Sequence, residues 1–201
     1  MSSHPIVDVL NRVLGGLLRR GAHTAPDEGA CILEACSLAR GVPFSDSCCE
    51  VQMPDIRSLN DAFQSDEART LAMVRLGVAL WGWREWSWER QGRFAHTLGQ
   101  RLWTEFWAPA LRDYAGIGDV PESPTRDYVG NLRLKVAGRL RDSLCSFQCG
   151  LPPLVWGTAT PANLISSLDS ACATLALEQD ALLTRIVDVW VAVAEESARE
   201  L

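Results

Sequence analysis

The residues best equipped for chemistry crowd into one stretch, Asp27 to Asp61, which reads DEGACILEACSLARGVPFSDSCCEVQMPDIRSLND. It gathers four cysteines, several carboxylates, Arg57 and Asn60 around one expected helix and the loop after it, more convergent polar chemistry than core packing requires. Cys31 stands near the start of that helix, where exposed backbone N–H groups stabilise a thiolate, so it is the candidate nucleophile or redox thiol. Glu34, one turn on, is placed to act as acid or base, with Asp46 and Arg57 positioning a substrate and Asp27, Asn60 and Asp61 as binding groups. Cys48 and Cys49 join this cluster if a helix starting at Pro54 packs on the Asp27 helix. Thiol catalysis needs a partner that takes the proton, and the only histidine nearby is His23. A purely structural reading stands beside this one: Glu34 and Arg57 form a buried ion pair, Asp46 caps a turn, and Asn60 and Asp61 bind loop backbone.

Other chemistry is thinner. Cys31, Cys36, Cys48 and Cys49 lack the C-x2-C spacing of a zinc site, so no metal and no cofactor is expected. Cys145, Cys149 and Cys172 read as core residues. GxGxxG, Walker, HExxH and GxSxG sequences are absent, which sets those enzyme classes aside. Six of the eight tryptophans fall between Trp81 and Trp107. Trp83, Trp86, Trp103 and Trp107 are candidate binding residues, able to stack on a partner, although a helical core would absorb the same rings.

The elements that must position these residues are helical. From Pro5 to Arg20, Ile6, Val9, Leu10, Val13, Leu14 and Leu17 recur at three- and four-residue steps, with Gly21 as a stop. Thr24 to Asp27 offers a second helix start, running to about Arg40 and ending at Gly41. Pro54 opens a third helix through Ile56, Leu59 and Phe63. Ser65 caps a fourth carrying Leu71, Val74, Val78 and Trp81. Phe94, Leu98, Leu102 and Phe106 form one stripe, with Trp103 and Trp107 about 100° round the helix from it. Val129 to Phe147 makes a further amphipathic helix, and a long tail from Ala162 to Leu201 buries Leu182, Leu183, Ile186, Val187, Val189, Trp190 and Val193. Period-two alternation and hairpin signals are nearly absent. The expected fold class is therefore all-α, an irregular array of about seven or eight helices and not a symmetric four-helix bundle. Residues 1–201 read as a single helical domain, with a candidate subdomain boundary at 116–125, where Gly and Pro cluster.

The motif set Asp27, Gly29, Cys31, Glu34, Ala35, then Gly41, Ser45, Asp46 and Cys48 or Cys49, then Arg57, Asn60 and Asp61, resembles a family of uncharacterised proteins. These occur in high-GC bacteria and their phages and share a D-G-x-C-x-M-E-A, S-D-H-P-x-C, R-x-x-N-D arrangement. The likeness covers residues 25 to 70 and implies bacterial or phage origin, with no activity to carry over. Leu33 replaces the family's methionine and Ser47 stands in place of its histidine, which argues against an essential acid–base or metal role there.

A chain of 201 residues suffices for a sizeable core, with hydrophobic residues at 47% and charged residues at 22%. The net charge of −6 makes a nucleic-acid partner unlikely, since phosphate binding rests on clustered Lys and Arg, and Lys135 is the only lysine. No apolar run reaches the roughly 18 residues of a membrane span. Asp8, Asn11 and Arg12 interrupt any apolar leader, so a cytoplasmic protein with reduced cysteines is expected. With catalytic signatures missing, the sequence favours a small helical protein that binds a protein partner or forms a homo-oligomer. The alternatives are an enzyme or redox sensor at Cys31 and Glu34, and a helical nucleic-acid binder.

Overall fold

The fold was obtained as a computed structural model, which describes residues 3–109, 122 and 178–199. These are all-α, with no strand among the described residues. Helix α1 spans Pro5–Arg12, α2 Ile32–Arg40, α3 Cys48–Val51, α4 Arg57–Ala62, α5 Asp66–Ala79, α6 Trp88–Leu102 and α7 Gln179–Arg199. A 3-10 turn, Trp83–Glu85, precedes α6, and a π-helical turn, Trp103–Trp107, continues it. Helix α5 packs on α7, α7 on α6, and α1 on α2, an irregular arrangement with one shared core.

Several starts follow the expected capping chemistry. The Ser65 hydroxyl accepts from the Ala68 N–H and the Ser87 hydroxyl from the Arg90 N–H, so α5 and α6 begin where a serine satisfies a free donor. His4 does the same for α1 through its ring, accepting from the Ile6 N–H at 3.3 Å. Other boundaries differ from expectation. Helix α1 stops at Arg12 because Gly15 and Gly16 take positive φ, so the Arg20 end is not reached. Helix α2 starts at Ile32, not near Thr24 or Asp27, and α4 starts at Arg57, not at Pro54. The whole stretch from 13 to 31 is thus non-helical backbone that must be satisfied in another way.

The buried stripe of α5 also differs. Leu71 and Val78 face solvent, while Arg69, Ala72, Met73, Leu76 and Gly77 face inward. The core side is chosen by close approach: a Cβ on Gly77 would lie 2.9 Å from Ile32 Cδ1 and 3.2 Å from Ile6 Cδ1, so α1 and α2 seat on that glycine. On α6 the expected stripe of Phe94, Leu98, Leu102 and Phe106 is buried, and so is Trp103. On α7 all seven expected apolar residues, Leu182 through Val193, are buried. The 116–125 boundary apart from residue 122, the helix expected over 129–147, the part of the tail over 162–177, the cysteines at 145, 149 and 172, and the Trp107 side chain lie outside the described residues.

Candidate functional site

The polar residues of 27–61 separate into two groups. The first surrounds the loop between α1 and α2. Glu34, 1% exposed, sits at the third position of α2, and its Oε2 accepts from the Cys31 N–H at 2.7 Å while the Cys31 sulfur accepts from the Glu34 N–H, a reciprocal capping box. The same carboxylate reaches back to the loop: Oε1 accepts from the His23 N–H at 2.6 Å and Oε2 pairs with His23 Nδ1 at 2.9 Å. Asn60 is fully buried; its Oδ1 accepts from the Ile32 N–H at 3.3 Å and its Nδ2 donates to the Arg19 carbonyl at 3.0 Å and to Asp61 Oδ1 at 2.9 Å. Asp61 Oδ1 also accepts from the Gly21 N–H at 2.9 Å. Higher up the loop, Thr70 Oγ1 accepts from the Leu18 N–H at 2.8 Å. Gly29, at φ 126°, lets the loop close, because a Cβ there would lie 2.7 Å from Arg19 Cγ and 3.2 Å from His23 Nε2.

The second group lies beside α3. Arg57 grips Asp55 with two donors, Nε to Oδ1 at 2.9 Å and Nη2 to Oδ2 at 2.7 Å, and reaches Asp46 Oδ2 through Nη1 at 3.4 Å. These bonds hold the Asp55 carboxyl below its ordinary range and the Arg57 guanidinium above its own. The half-buried Cys48 thiol is pushed up by burial and by Asp55, and it touches the exposed Cys49.

The expected Glu34–Arg57 ion pair does not form. Glu34 is saturated by His23 and the start of α2, and Arg57 by Asp55 and Asp46. Asn60 and Asp61 do bind loop backbone, as the structural reading had it. Cys31 departs from the thiolate expectation: it is 2% exposed, and burial, reinforced by the Glu34 carboxylate, pushes its thiol up to about 12 against the pull of the Glu34 and Leu33 backbone N–H groups. Asp27 is exposed.

Of the candidate aromatic residues, Trp86 and Trp103 are buried and Trp83 is half-buried; Trp83, Trp86 and Trp190 pack on Phe94 with ring centroids 5.4, 5.6 and 5.8 Å away. Among the described residues the exposed tryptophan is Trp88, at 78%. Trp88, His23 as Glu34's partner, and Arg69 are not among the residues that the sequence singles out. The Arg69 guanidinium is buried, donates to the Asn60 and Phe63 carbonyls at 2.9 and 2.6 Å, and pairs with Asp66. An arginine three residues after an aspartate is a readable i,i+3 pair; that it turns inward to cap the end of α4 depends on tertiary contact.

Among the described residues no group of histidine, cysteine and carboxylate side chains is arranged to hold a metal ion, and no helix is long and apolar enough to cross a membrane. No protein-family profile, curated protein or solved structure matches the chain.

Proposed function

We propose that this protein acts by binding another protein, a second copy of itself included, through the surface at the start of α6. The observation that carries the reading is Trp88, 78% exposed on the first residue of a helix whose Phe94 is turned into the core. Tryptophan exposed in this way is the residue type most enriched where truncation weakens an interface strongly, by about 2 kcal/mol or more. The polar residues of 27–61 favour the same reading, because Glu34, Asn60 and Asp61 spend their hydrogen bonds on the loop before α2. The alternative, an enzyme or redox sensor at Cys31 and Glu34, has against it that both side chains are sealed. A nucleic-acid role has against it the net charge of −6.

A photo-reactive phenylalanine analogue at position 88, expressed in cells of the natural source, tests the reading. The expected result is a discrete cross-linked species at 88, of twice the chain mass for self-association or of another mass for a different partner. The analogue at Arg84, also exposed, serves as the control. Equal cross-linking at both positions, or none at 88, would remove the proposal.

A further inference from the structure

Helix α3 is a single turn, Cys48–Val51, and its first two residues are adjacent cysteines. Their thiols are free, Cys49 exposed and Cys48 half-buried, and the two sulfurs are in hydrogen-bonding contact. The other described cysteines, Cys31 and Cys36, are buried. A one-turn helix has little stability of its own, so this one depends on bonds at its ends. The Ser47 hydroxyl accepts from the Glu50 N–H at 3.4 Å, the Ser47 carbonyl from the Val51 N–H at 2.9 Å, and the Cys48 carbonyl from the Met53 N–H at 3.1 Å. Gln52, which ends the turn, takes a φ of 55°, a left-handed conformation uncommon outside glycine. An accessible thiol standing against a second one is the arrangement in which oxidation at the first sulfur is resolved by the second.

We propose that Cys48 and Cys49 are a dithiol oxidised by hydrogen peroxide, which closes to a disulfide between neighbouring residues and opens α3. The exposed Cys49 reacts first: its thiolate attacks one peroxide oxygen, the O–O bond breaks, and a sulfenic acid and one water result. The Cys48 sulfur then attacks the Cys49 sulfur, the S–O bond breaks, and the oxygen leaves as a second water. In sum two thiols and one hydrogen peroxide give one disulfide and two waters, the sulfurs losing the two electrons that the peroxide gains. Burial and Asp55 push the Cys48 thiol up, which leaves the first step to Cys49. Geometry decides the consequence. Neighbouring Cα atoms are about 3.8 Å apart, below the roughly 4.4 to 6.8 Å of an ordinary disulfide, and successive helical side chains point about 100° apart. The sulfurs reach bonding distance, about 2.05 Å, only when the peptide between them turns out of helical geometry. Strain of this kind makes the bond easily reduced, so the closure is reversible.

Hydrogen peroxide added to the reduced full chain, followed by alkylation and tryptic mapping, provides the test. Cleavage after Arg40 and Arg57 leaves Cys48 and Cys49 as the two cysteines of one peptide. That peptide should lose two hydrogens, take up no alkylating reagent, and become doubly alkylated once dithiothreitol is added first. Cys48→Ser should stop the reaction at the Cys49 sulfenic acid, captured by dimedone, and Cys49→Ser should slow oxidation of the peptide roughly tenfold or more. Amide exchange at Val51 and Met53 should quicken about tenfold or more on oxidation and revert on reduction. A disulfide from Cys49 to any other cysteine, of this chain or of a second copy, overturns the proposal, as does a sulfinic acid at Cys49 in place of the disulfide. Unchanged exchange at Val51 and Met53 in the oxidised chain overturns the opening of α3. If either serine variant fails to fold by circular dichroism, the peptide map of the unmodified sequence decides.

Discussion

Cys31 occupies a position where serine or aspartate usually caps a helix, and two opposing effects decide what its sulfur can do. Helix N–H groups favour the thiolate by tenths of a kcal/mol to about 1 kcal/mol, whereas burying an unpaired anion is disfavoured by several, so burial wins. Cys36, fully buried one turn on, is likewise pushed up to about 12 by burial, with Arg40 pulling weakly the other way. Thiolate is the reactive species, and both thiols are shielded. In a time course with a maleimide reagent at pH 7.5, Cys49 should be labelled first and Cys48 next. Cys31 and Cys36 should be labelled at least a hundredfold more slowly, at a rate set by unfolding. Labelling of Cys31 as fast as Cys49 in the folded protein would reinstate it as a reactive thiol.

Between α1 and α2 the chain makes few backbone hydrogen bonds of its own, and side chains from α2, α4 and α5 supply the partners. Glu34 carries the most: it ends a free donor at the start of α2 and holds His23 by backbone and ring. Glu34→Gln keeps the shape but replaces one acceptor oxygen by a donor, so the bonds to the Cys31 N–H and to His23 cannot all be kept. The expected loss is about 2 to 3 kcal/mol in urea unfolding, accompanied by faster tryptic cleavage at Arg19 and Arg20. Unchanged cleavage with lowered stability would mean that the loop is held by Asn60, Asp61 and Thr70 without Glu34. Gly77→Ala gives a second element-scale test. An exposed helical glycine gains about 1 kcal/mol on becoming alanine, but here the added methyl meets Ile32 and Ile6, and a net destabilisation of about 1 to 3 kcal/mol is expected in the same assay. What was legible at this scale follows from how local each signal is. Ser65 announces its helix by short-range chemistry, whereas the apolar face of α5 is shifted, with Leu71 and Val78 outside and Val74 only partly covered, because Gly77 seats Ile6 and Ile32 from distant parts of the sequence. The start of α2 was obscured because its cap is a cysteine whose role depends on Glu34 and on a loop eight residues back.

For the molecule as a whole, helical periodicity was enough to give the all-α class, and the apolar face of α7 was readable residue by residue because a long helix repeats its signal. The site was less legible: sequence proximity grouped Glu34 with Arg57, but each found a partner that periodicity does not reveal, His23 in one case and Asp55 in the other. The second of those partnerships and two buried thiols set the pH range of the fold. Arg57 holds the Asp55 carboxyl below its ordinary 3.8, so this pair contributes stability above that value and loses it as pH falls through the lower folded-state value. Because Arg57 is substantially exposed, the contribution is only about 1 kcal/mol. On the alkaline side the sign is reversed. Cys31 and Cys36 ionise near 9.0 when unfolded and near 12 when folded, so their contribution is complete below pH 9 and is lost as pH rises toward 12, by up to roughly 4 kcal/mol each. Urea unfolding followed from pH 3 to 11 should therefore give a plateau with a shallow acid limb and a steep alkaline one. Asp55→Asn should flatten the first and leave the second alone, and Cys36→Ala should remove from the slope above pH 9 the share that this thiol supplies, at the expense of a lower plateau. An alkaline limb unchanged in Cys36→Ala would show that other groups govern it, and that this thiol is not protected by the fold to the degree its burial implies.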